Sequence, residues 1–208
     1  MEKIKKRGVS AMRVEQYVMA YGIEQDRIRA ILPDGFSSIR PVVRINAEIR
    51  DDKYGYLEFN TAVEKEGKRG WINIGYWENI PYQKEGKTTT FENDSIKITF
   101  KGVGIEGGCP AEKDNVGCYY KLKETYKLLK AEQIQEKKEF CDCEFEWKLG
   151  EGSARGISSG KTLPAVPSEV KKIYPREAFT IENAAKIACE QVLGTYKVIF
   201  DRVQDKQN

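Results

Sequence analysis

Apolar and polar residues alternate along several segments of this chain, and this period of two constrains the fold more than any other feature. The clearest segment is 141–149, in which charged residues separate five apolar ones: Cys141, Cys143, Phe145, Trp147 and Leu149. Successive side chains of a strand point to opposite faces of a sheet, so the pattern predicts a strand buried on one face. Because such segments recur along the chain, we expect a β-rich protein.

Six further segments have the composition or the alternation of strands, namely 16–22, 41–50, 56–63, 70–76, 95–100 and 196–200. The polar loop 64–69 contains a glycine and predicts a hairpin between two of them.

Residues 119–138 leave two alternatives open. The spacing of Tyr119, Leu122 and Tyr126 fits a helix, whereas the tyrosine-rich start suits a strand.

Two helices are predicted. Residues 24–32 end at Pro33, whose ring and missing N–H stop a helix. Residues 181–193 are rich in alanine and precede Gly194, a common residue after a helix. The combination of many strands and few helices predicts an antiparallel barrel or a strongly bent sheet with a few helices against it.

Length and charge limit the organisation of the chain and its partners. The 208 residues contain no evident linker, so we expect one domain over 1–208 with frayed ends at 1–10 and 203–208. Basic and acidic residues number 35 and 32 and are interleaved, which argues against nucleic acid or a membrane surface as a partner. No apolar run is long enough for a membrane span or an export signal. We therefore expect a cytoplasmic protein whose five cysteines are reduced.

The chain contains no histidine. This absence excludes serine–histidine and cysteine–histidine nucleophile pairs, and it excludes metal sites built on imidazole. Any acid–base chemistry must use Glu, Asp, Lys, Tyr or Cys.

Two glycine motifs resemble nucleotide-binding loops but lack the context that such loops need. Residues 102–107 match GxGxxG after a predicted strand, yet no helix is predicted to follow, so bulges or bends are the better interpretation. The sequence Gly160-Lys161-Thr162 lacks the earlier glycine of a phosphate-binding loop, because Arg155 stands at that position. Pro164 and Pro167 also forbid the helix that such a loop requires. We therefore expect no nucleotide and no other cofactor.

Some residues allow both a structural and a functional interpretation. Cys141 and Cys143 are more consistent with buried, reduced, metal-free core residues than with metal ligands. Tyr76 and Trp77 are candidates for the core or for a ligand pocket. Glu58 interrupts an apolar strand and should lie on the face opposite Leu57 and Phe59. That face is either solvated or lies inside a barrel, where burial would raise the pKa of the carboxylate.

Several motifs in the same order resemble the acetoacetate decarboxylase family, from about residue 16 to 87 and more weakly over 91–100 and 196–201. They are Tyr17-Val18-Met19-Ala20-Tyr21 before the 24–32 helix and Pro33, Pro41-Val42-Val43-Arg44-Ile45, Tyr56-Leu57-Glu58, and Gly75-Tyr76-Trp77-Glu78-Asn79-Ile80-Pro81. The resemblance implies a β-rich α+β fold with an antiparallel, at least partly closed β-barrel and a few flanking helices. It implies Glu58 as the pocket carboxylate.

The chain departs from that family where catalysis takes place. The family's two adjacent lysines, one of which forms a Schiff base, follow a Gly-Arg-like step, which Gly86-Lys87 resembles here. Residues 88–91 then join directly to the next strand, so the segment with the lysine pair is missing. The resemblance places Gly75 where the family has a pocket methionine, which would enlarge the cavity. Arg13 lies near the position of the substrate-carboxylate arginine, which Val14 occupies.

The resemblance therefore implies a barrel pocket for a small organic acid or ketone-like metabolite, in a protein that is not a Schiff-base decarboxylase. Its site would use Glu58 as the catalytic residue, with no metal, and the substrate-binding candidates would be Arg13, Gly75, Tyr76, Lys84 and Lys87. If the protein is an enzyme, it would be a lyase of this superfamily or would act on an enol or a lactone through Glu58. The alternatives are a non-catalytic binding barrel and a structural oligomer subunit, and we expect a homo-oligomer.

Overall fold

The computed structural model describes residues 10–108, 116–149, 155–159 and 165–204. Its elements, in chain order, are β1 (Ser10–Ile23), α1 (Gln25–Ile31), β2 (Ser37–Arg50), β3 (Tyr54–Lys65), β4 (Lys68–Glu78), β5 (Tyr82–Glu85), β6 (Thr88–Glu92), β7 (Ile96–Glu106), β8 (Gly117–Leu122), β9 (Thr125–Lys130), β10 (Glu139–Trp147), β11 (Arg155–Ser159), α2 (Ile181–Ala185) and β12 (Cys189–Gln204). All seven predicted strands are confirmed, and the protein is β-rich. The described residues contain no helix that is long and apolar enough to cross a membrane.

The strands pair into one sheet with the order β5-β6-β7-β10-β12-β1-β2-β3-β4-β8-β9, and β11 pairs with the side of β10. All pairs are antiparallel except β4 with β8, which run parallel over a short stretch. The pairing path ends at β5 and β9, so hydrogen bonds between the described strands do not close a ring.

The sheet nevertheless curls strongly. Five strand spacings separate β10 from β4 in the pairing order, which would be about 24 Å in a flat sheet. Trp147 on β10 instead lies with its ring centroid 6.1 Å from that of Trp77 on β4 and 5.0 Å from that of Phe59 on β3. The two halves of the sheet therefore face each other across one apolar core.

The inner face of the curled sheet forms the main core. Residues at alternate positions of β1, β2, β3, β7 and β10 are buried there, including Tyr21, Ile45, Phe59, Phe100 and Trp147. Trp147 donates a 3.0 Å hydrogen bond from its indole nitrogen to the hydroxyl of Tyr21, so both buried polar groups are paired. The period of two in the sequence thus corresponds to this inner face.

The ambiguous segment 119–138 contains a hairpin and no helix. Strands β8 and β9 are antiparallel, and their pairing begins with Gly117 opposite Lys130 and ends with Leu122 opposite Thr125. Residues 131–138 have no regular secondary structure. Tyr119 is buried against Leu32, Val63 and Ile72. Because Tyr119 anchors the first strand in this small apolar cluster, the strand alternative is the correct one.

The predicted helix over 181–193 is wrong beyond its first part. Helix α2 ends at Ala185, and strand β12 begins at Cys189. Within β12, Val192 pairs with Tyr21 of β1. The pairing of β12 with β1 shifts by one residue between Thr195 and Val192, which places Gly194 in a β-bulge and not after a helix. The long pairing with β1 outweighs the helical preference of the alanine-rich segment.

The motif at 102–107 also lies in a bulge, as the sequence indicates. Between Gly102 and Glu106, β7 has two more residues than β10 has opposite them, and Gly104 takes a φ of +73°. The helix predicted over 24–32 is confirmed as α1. The second glycine motif, Gly160-Lys161-Thr162 with Pro164, lies outside the described residues.

Cys141 and Cys143 lie on the inner face and are buried and free of disulfides, as predicted. Burial raises the pKa of Cys141 to about 12 and that of Cys143 well above its usual range.

Since the thiolate is the reactive form, we expect iodoacetamide to modify both thiols far more slowly in the native protein than in urea. Peptide mass spectrometry after timed labelling measures the difference. Equal rates in the two states would contradict the burial of these thiols, and stoichiometric zinc in elemental analysis would contradict the prediction that they bind no metal.

Candidate functional site

The face of the sheet opposite the core carries a row of polar side chains. On β1, β2 and β3 the residues between the core positions include Gln16, Asn46, Glu48 and Glu58. Strand β8 and the segment after β9 cover this face. Between the sheet and this cover lies a cavity of about 460 Å³ that is partly open to solvent, and its cover includes Cys118, Tyr120 and residues 129–134. The cavity is therefore walled on one side by the sheet and on the other by the hairpin.

Glu58 lies in the wall of this cavity and is 6% exposed, so the interpretation as a solvated face is wrong. Three neutral groups donate hydrogen bonds to its carboxylate. The hydroxyls of Tyr56 and Tyr120 donate to Oε2 at 2.9 and 2.8 Å, and the Asn60 amide donates to Oε1 at 2.8 Å. Among the described residues, no cation lies within 4.0 Å of this carboxylate.

The groups around Glu58 are held in their protonated forms. Burial raises the pKa values of Tyr56 and Tyr120, and the neighbouring Glu58 carboxylate raises both further. Burial and Glu58 also raise the pKa of Cys118 to about 12, and its thiol lies 3.2 Å from Oδ1 of Asn60. At neutral pH these residues act as hydrogen-bond donors and not as nucleophiles or bases.

A second carboxylate of the same wall, Glu48, is paired with cations. Arg202 on β12 binds it through two nitrogens at 2.8 and 3.0 Å, and Arg50 binds it at 2.7 Å. Burial alone would raise the pKa of Glu48, but the two arginines outweigh it and lower the pKa. Arg202 also binds Glu132 in the segment after β9, which ties the cover of the cavity to the sheet.

The predicted lysines lie elsewhere. Lys84 pairs with the buried carboxylate of Glu15, to which Tyr17 also donates at 2.6 Å. Burial alone would raise the pKa of Glu15, but these hydrogen bonds outweigh it and lower the pKa. Lys87 is exposed and follows Gly86 in the turn between β5 and β6. Neither lysine lines the cavity, whereas Lys130 and Lys138 do.

The remaining sequence candidates also lie outside the cavity lining. Arg13 is exposed, and its Nε lies 3.9 Å from Asp52. A Cβ added at Gly75 would lie 2.6 Å from Cδ1 of Ile181, so α2 fills the space that the absent side chain leaves, and this glycine does not enlarge the cavity. Tyr76 is 52% exposed and its ring centroid lies 5.8 Å from that of Tyr56 in a tilted arrangement, while its neighbour Trp77 packs against the core.

Sequence reasoning missed several cavity residues, which are Gln16, Arg44, Asn46, Glu48, Tyr120 and Arg202. On β2 the apolar core residues Val43, Ile45 and Ala47 alternate with Arg44, Asn46 and Glu48. The period of two therefore predicts that the last three lie on the face opposite the core, as Glu58 does on β3. Tyr120 and Arg202 come from distant parts of the chain, and only the strand order brings them to this face.

No protein-family model and no curated protein matches the chain. Solved structures do match over most of its length. An acetoacetate decarboxylase structure shares 11% identity with a TM-score of 0.52, covering 95% of this chain and 87% of that one. Acetoacetate decarboxylase from Legionella pneumophila shares 15% identity with a TM-score of 0.48, covering 93% and 84%. An acetoacetate decarboxylase-like enzyme from Sphingomonas wittichii RW1 shares 10% identity with a TM-score of 0.45, covering 92% and 89%. At these identities the likeness concerns the fold alone, and the match with a TM-score of 0.52 confirms that this chain has a fold like that of acetoacetate decarboxylase.

Proposed function

We propose that the protein is a divergent member of the acetoacetate decarboxylase superfamily. Its cavity would bind a small organic acid or ketone-like metabolite without a Schiff base. The observation that carries this proposal is Glu58, a buried carboxylate that faces a cavity of about 460 Å³ and accepts hydrogen bonds from three neutral donors. That volume lies within the range of roughly 300–1,000 Å³ that is typical of small-molecule sites.

The arrangement of the lysines supports a reaction without an imine. An imine forms only from an unprotonated amine, and a lysine with a pKa of about 10.4 is free in roughly one of a few thousand molecules at pH 7. Lys84 is ion-paired with the Glu15 carboxylate and lies outside the cavity lining. Lys130 and Lys138 border the cavity from its cover, outside the motif that the family uses, so any test of imine chemistry must include both.

If the protein is an enzyme, Glu58 is its acid–base residue. Oε2 already accepts from two phenols. Within the described parts of the chain Oε1 accepts from Asn60 alone, which leaves one acceptor site on Oε1 for a proton of the ligand. This site suits proton transfer to or from an enol or a hydroxyl group. The same hydrogen bonds also favour the second candidate, a non-catalytic binding protein, because they fix Glu58 as an acceptor.

We expect Glu58→Gln to weaken binding of 3-hydroxybutyrate by about tenfold or more, since glutamine replaces an acceptor oxygen with an NH₂ group and disrupts the phenol hydrogen bonds. Isothermal titration calorimetry measures the affinity, and saturation-transfer NMR with acetoacetate provides a second probe. Glu64→Gln is the matched control, because Glu64 lies on the same strand outside the cavity lining. Equal affinity in the wild type and Glu58→Gln, or no binding of either probe at millimolar concentration, would contradict the proposal.

A further inference from the structure

Arg44 is a cavity cation that lacks the partners of its neighbours. It lies on β2 opposite Asn60 of β3 and lines the cavity. Its Nε is buried without a hydrogen-bond partner, and within the described ranges no carboxylate lies within 4.0 Å of its guanidinium. Arg50 and Arg202, by contrast, both bind Glu48.

The guanidinium of Arg44 lies over an aromatic ring. Its Cζ is 4.0 Å from the centroid of the Trp71 ring, a distance at which the cation is attracted by the face of the ring. This contact engages no N–H group in a hydrogen bond, so it leaves the N–H groups of the guanidinium for a ligand. A planar pair of N–H groups of this kind matches the two oxygens of a carboxylate.

The charges of the wall favour one anionic group at Arg44. The carboxylate of Glu48 is balanced by Arg50 and Arg202, and Arg202 also neutralises Glu132. Arg44 and Glu58 remain as the ions of the sheet wall that have no ion-pair partner among the described residues. A ligand carboxylate is attracted by Arg44, and repulsion from Glu58 keeps it away from the other end of the site.

The opposite end of the site accepts a proton donor. Glu58 has one free acceptor site on Oε1, as described above. Arg44 is opposite Asn60, and Asn60 is two residues from Glu58 on the same face, so Arg44 and Glu58 are diagonal neighbours with backbones roughly 7–8 Å apart. A ligand of a few carbon atoms therefore reaches both side chains.

From this geometry we infer that the cavity takes a short hydroxy acid, whose carboxylate binds Arg44 and whose hydroxyl donates to Oε1 of Glu58. The inference rests on the proposed function, because it assigns the ligand class of the same cavity. Arg44 is then the residue that makes the cavity prefer a charged carboxylate over a neutral group.

The test compares 3-hydroxybutyrate with its neutral amide, 3-hydroxybutanamide, by isothermal titration calorimetry. We expect the wild type to bind the carboxylate with an affinity about tenfold or more higher than that for the amide, because charge-assisted hydrogen bonds to Arg44 are stronger than neutral ones. Arg44→Gln should abolish this preference while amide binding changes by less than about twofold, and Arg44→Lys should retain part of it. Arg27→Gln is the matched control, since Arg27 also stacks on an aromatic ring, that of Tyr174, but does not line the cavity.

The outcomes separate this inference from the proposed function. A carboxylate preference that survives in Arg44→Gln, or equal binding of acid and amide by the wild type, overturns the inference and leaves the cavity proposal in place. Loss of both probes in a folded Arg44→Gln variant also overturns it, because Arg44 would then shape the cavity and not read charge. If neither probe binds the wild type, both proposals fail.

Discussion

Trp147→Ala is expected to lower the free energy of unfolding by about 3–5 kcal/mol, the usual cost of deleting a large buried aromatic side chain. Trp147 is 1% exposed and joins the two halves of the curled sheet through Phe59 and Trp77. Its loss leaves a cavity where β10 meets β3 and β4, and it leaves the Tyr21 hydroxyl without its indole donor. Urea unfolding followed by circular dichroism at pH 7 measures the change.

Two further variants separate the causes of this loss. Trp147→Phe keeps most of the aromatic contact and removes the hydrogen bond, so we expect a smaller cost of about 1–2 kcal/mol. Tyr54→Ala removes an aromatic side chain that is 55% exposed and should change stability by less than about 0.5 kcal/mol. A Trp147→Ala effect as small as that of Tyr54→Ala would show that the sheet does not close over this residue.

Arg202→Met is expected to cost about 2–4 kcal/mol at pH 7. Removing one partner of a fully buried ion pair costs about 3–5 kcal/mol, and the lower figure applies because the Arg202 side chain is 24% exposed. The variant leaves the buried carboxylate of Glu48 with Arg50 alone and releases Glu132, so the cover of the cavity loses its link to β12. The matched control is Arg69→Met, which breaks an exposed pair with Glu64 and should cost less than about 1 kcal/mol.

The pH dependence provides an independent check on this pair. The pKa of Glu48 is lowered in the folded protein, so its stabilising contribution is present above the unfolded pKa of about 4.3 and is lost as the pH falls through the folded pKa. The stability difference between wild type and Arg202→Met should therefore shrink on going from pH 7 to pH 3. A difference that is constant over this range would show that Arg202 acts by packing and not through Glu48.

Most of the fold follows from the period of two. Strands β2, β7 and β10 were predicted because apolar residues alternate with polar ones, as in Cys141, Cys143 and Phe145, whereas β1, β3, β4 and β12 were predicted from their strand-like composition. The helical prediction for 186–193 failed because Val192 and its neighbours pair with β1. The helix propensity of the segment contains no information about this long-range pairing. The hairpin of β5 and β6 was missed because its short strands are rich in charged residues and threonine.

The candidate site was predictable only in part. Glu58 was singled out from its place between Leu57 and Phe59, with a solvated face and a barrel interior left open, and it is buried under the β8–β9 hairpin on the face opposite the core. Arg202 and Tyr120 lie 144 and 62 positions away in the sequence, and no local pattern assigns them to the same cavity. Lys84, a substrate-binding candidate from the sequence, instead pairs with Glu15, which is distant in the chain and is brought close by the packing of β1 against the β5–β6 hairpin.

Borohydride reduction in the presence of acetoacetate tests most directly the claim that this cavity works without a covalent amine. Borohydride reduces an imine to a stable secondary amine, and peptide mass spectrometry then identifies the modified lysine. We expect no adduct on Lys84, Lys87, Lys130 or Lys138 and no release of carbon dioxide above background, together with acetoacetate binding that weakens in Glu58→Gln. An adduct on any lysine, accompanied by carbon dioxide release well above background, would contradict the account.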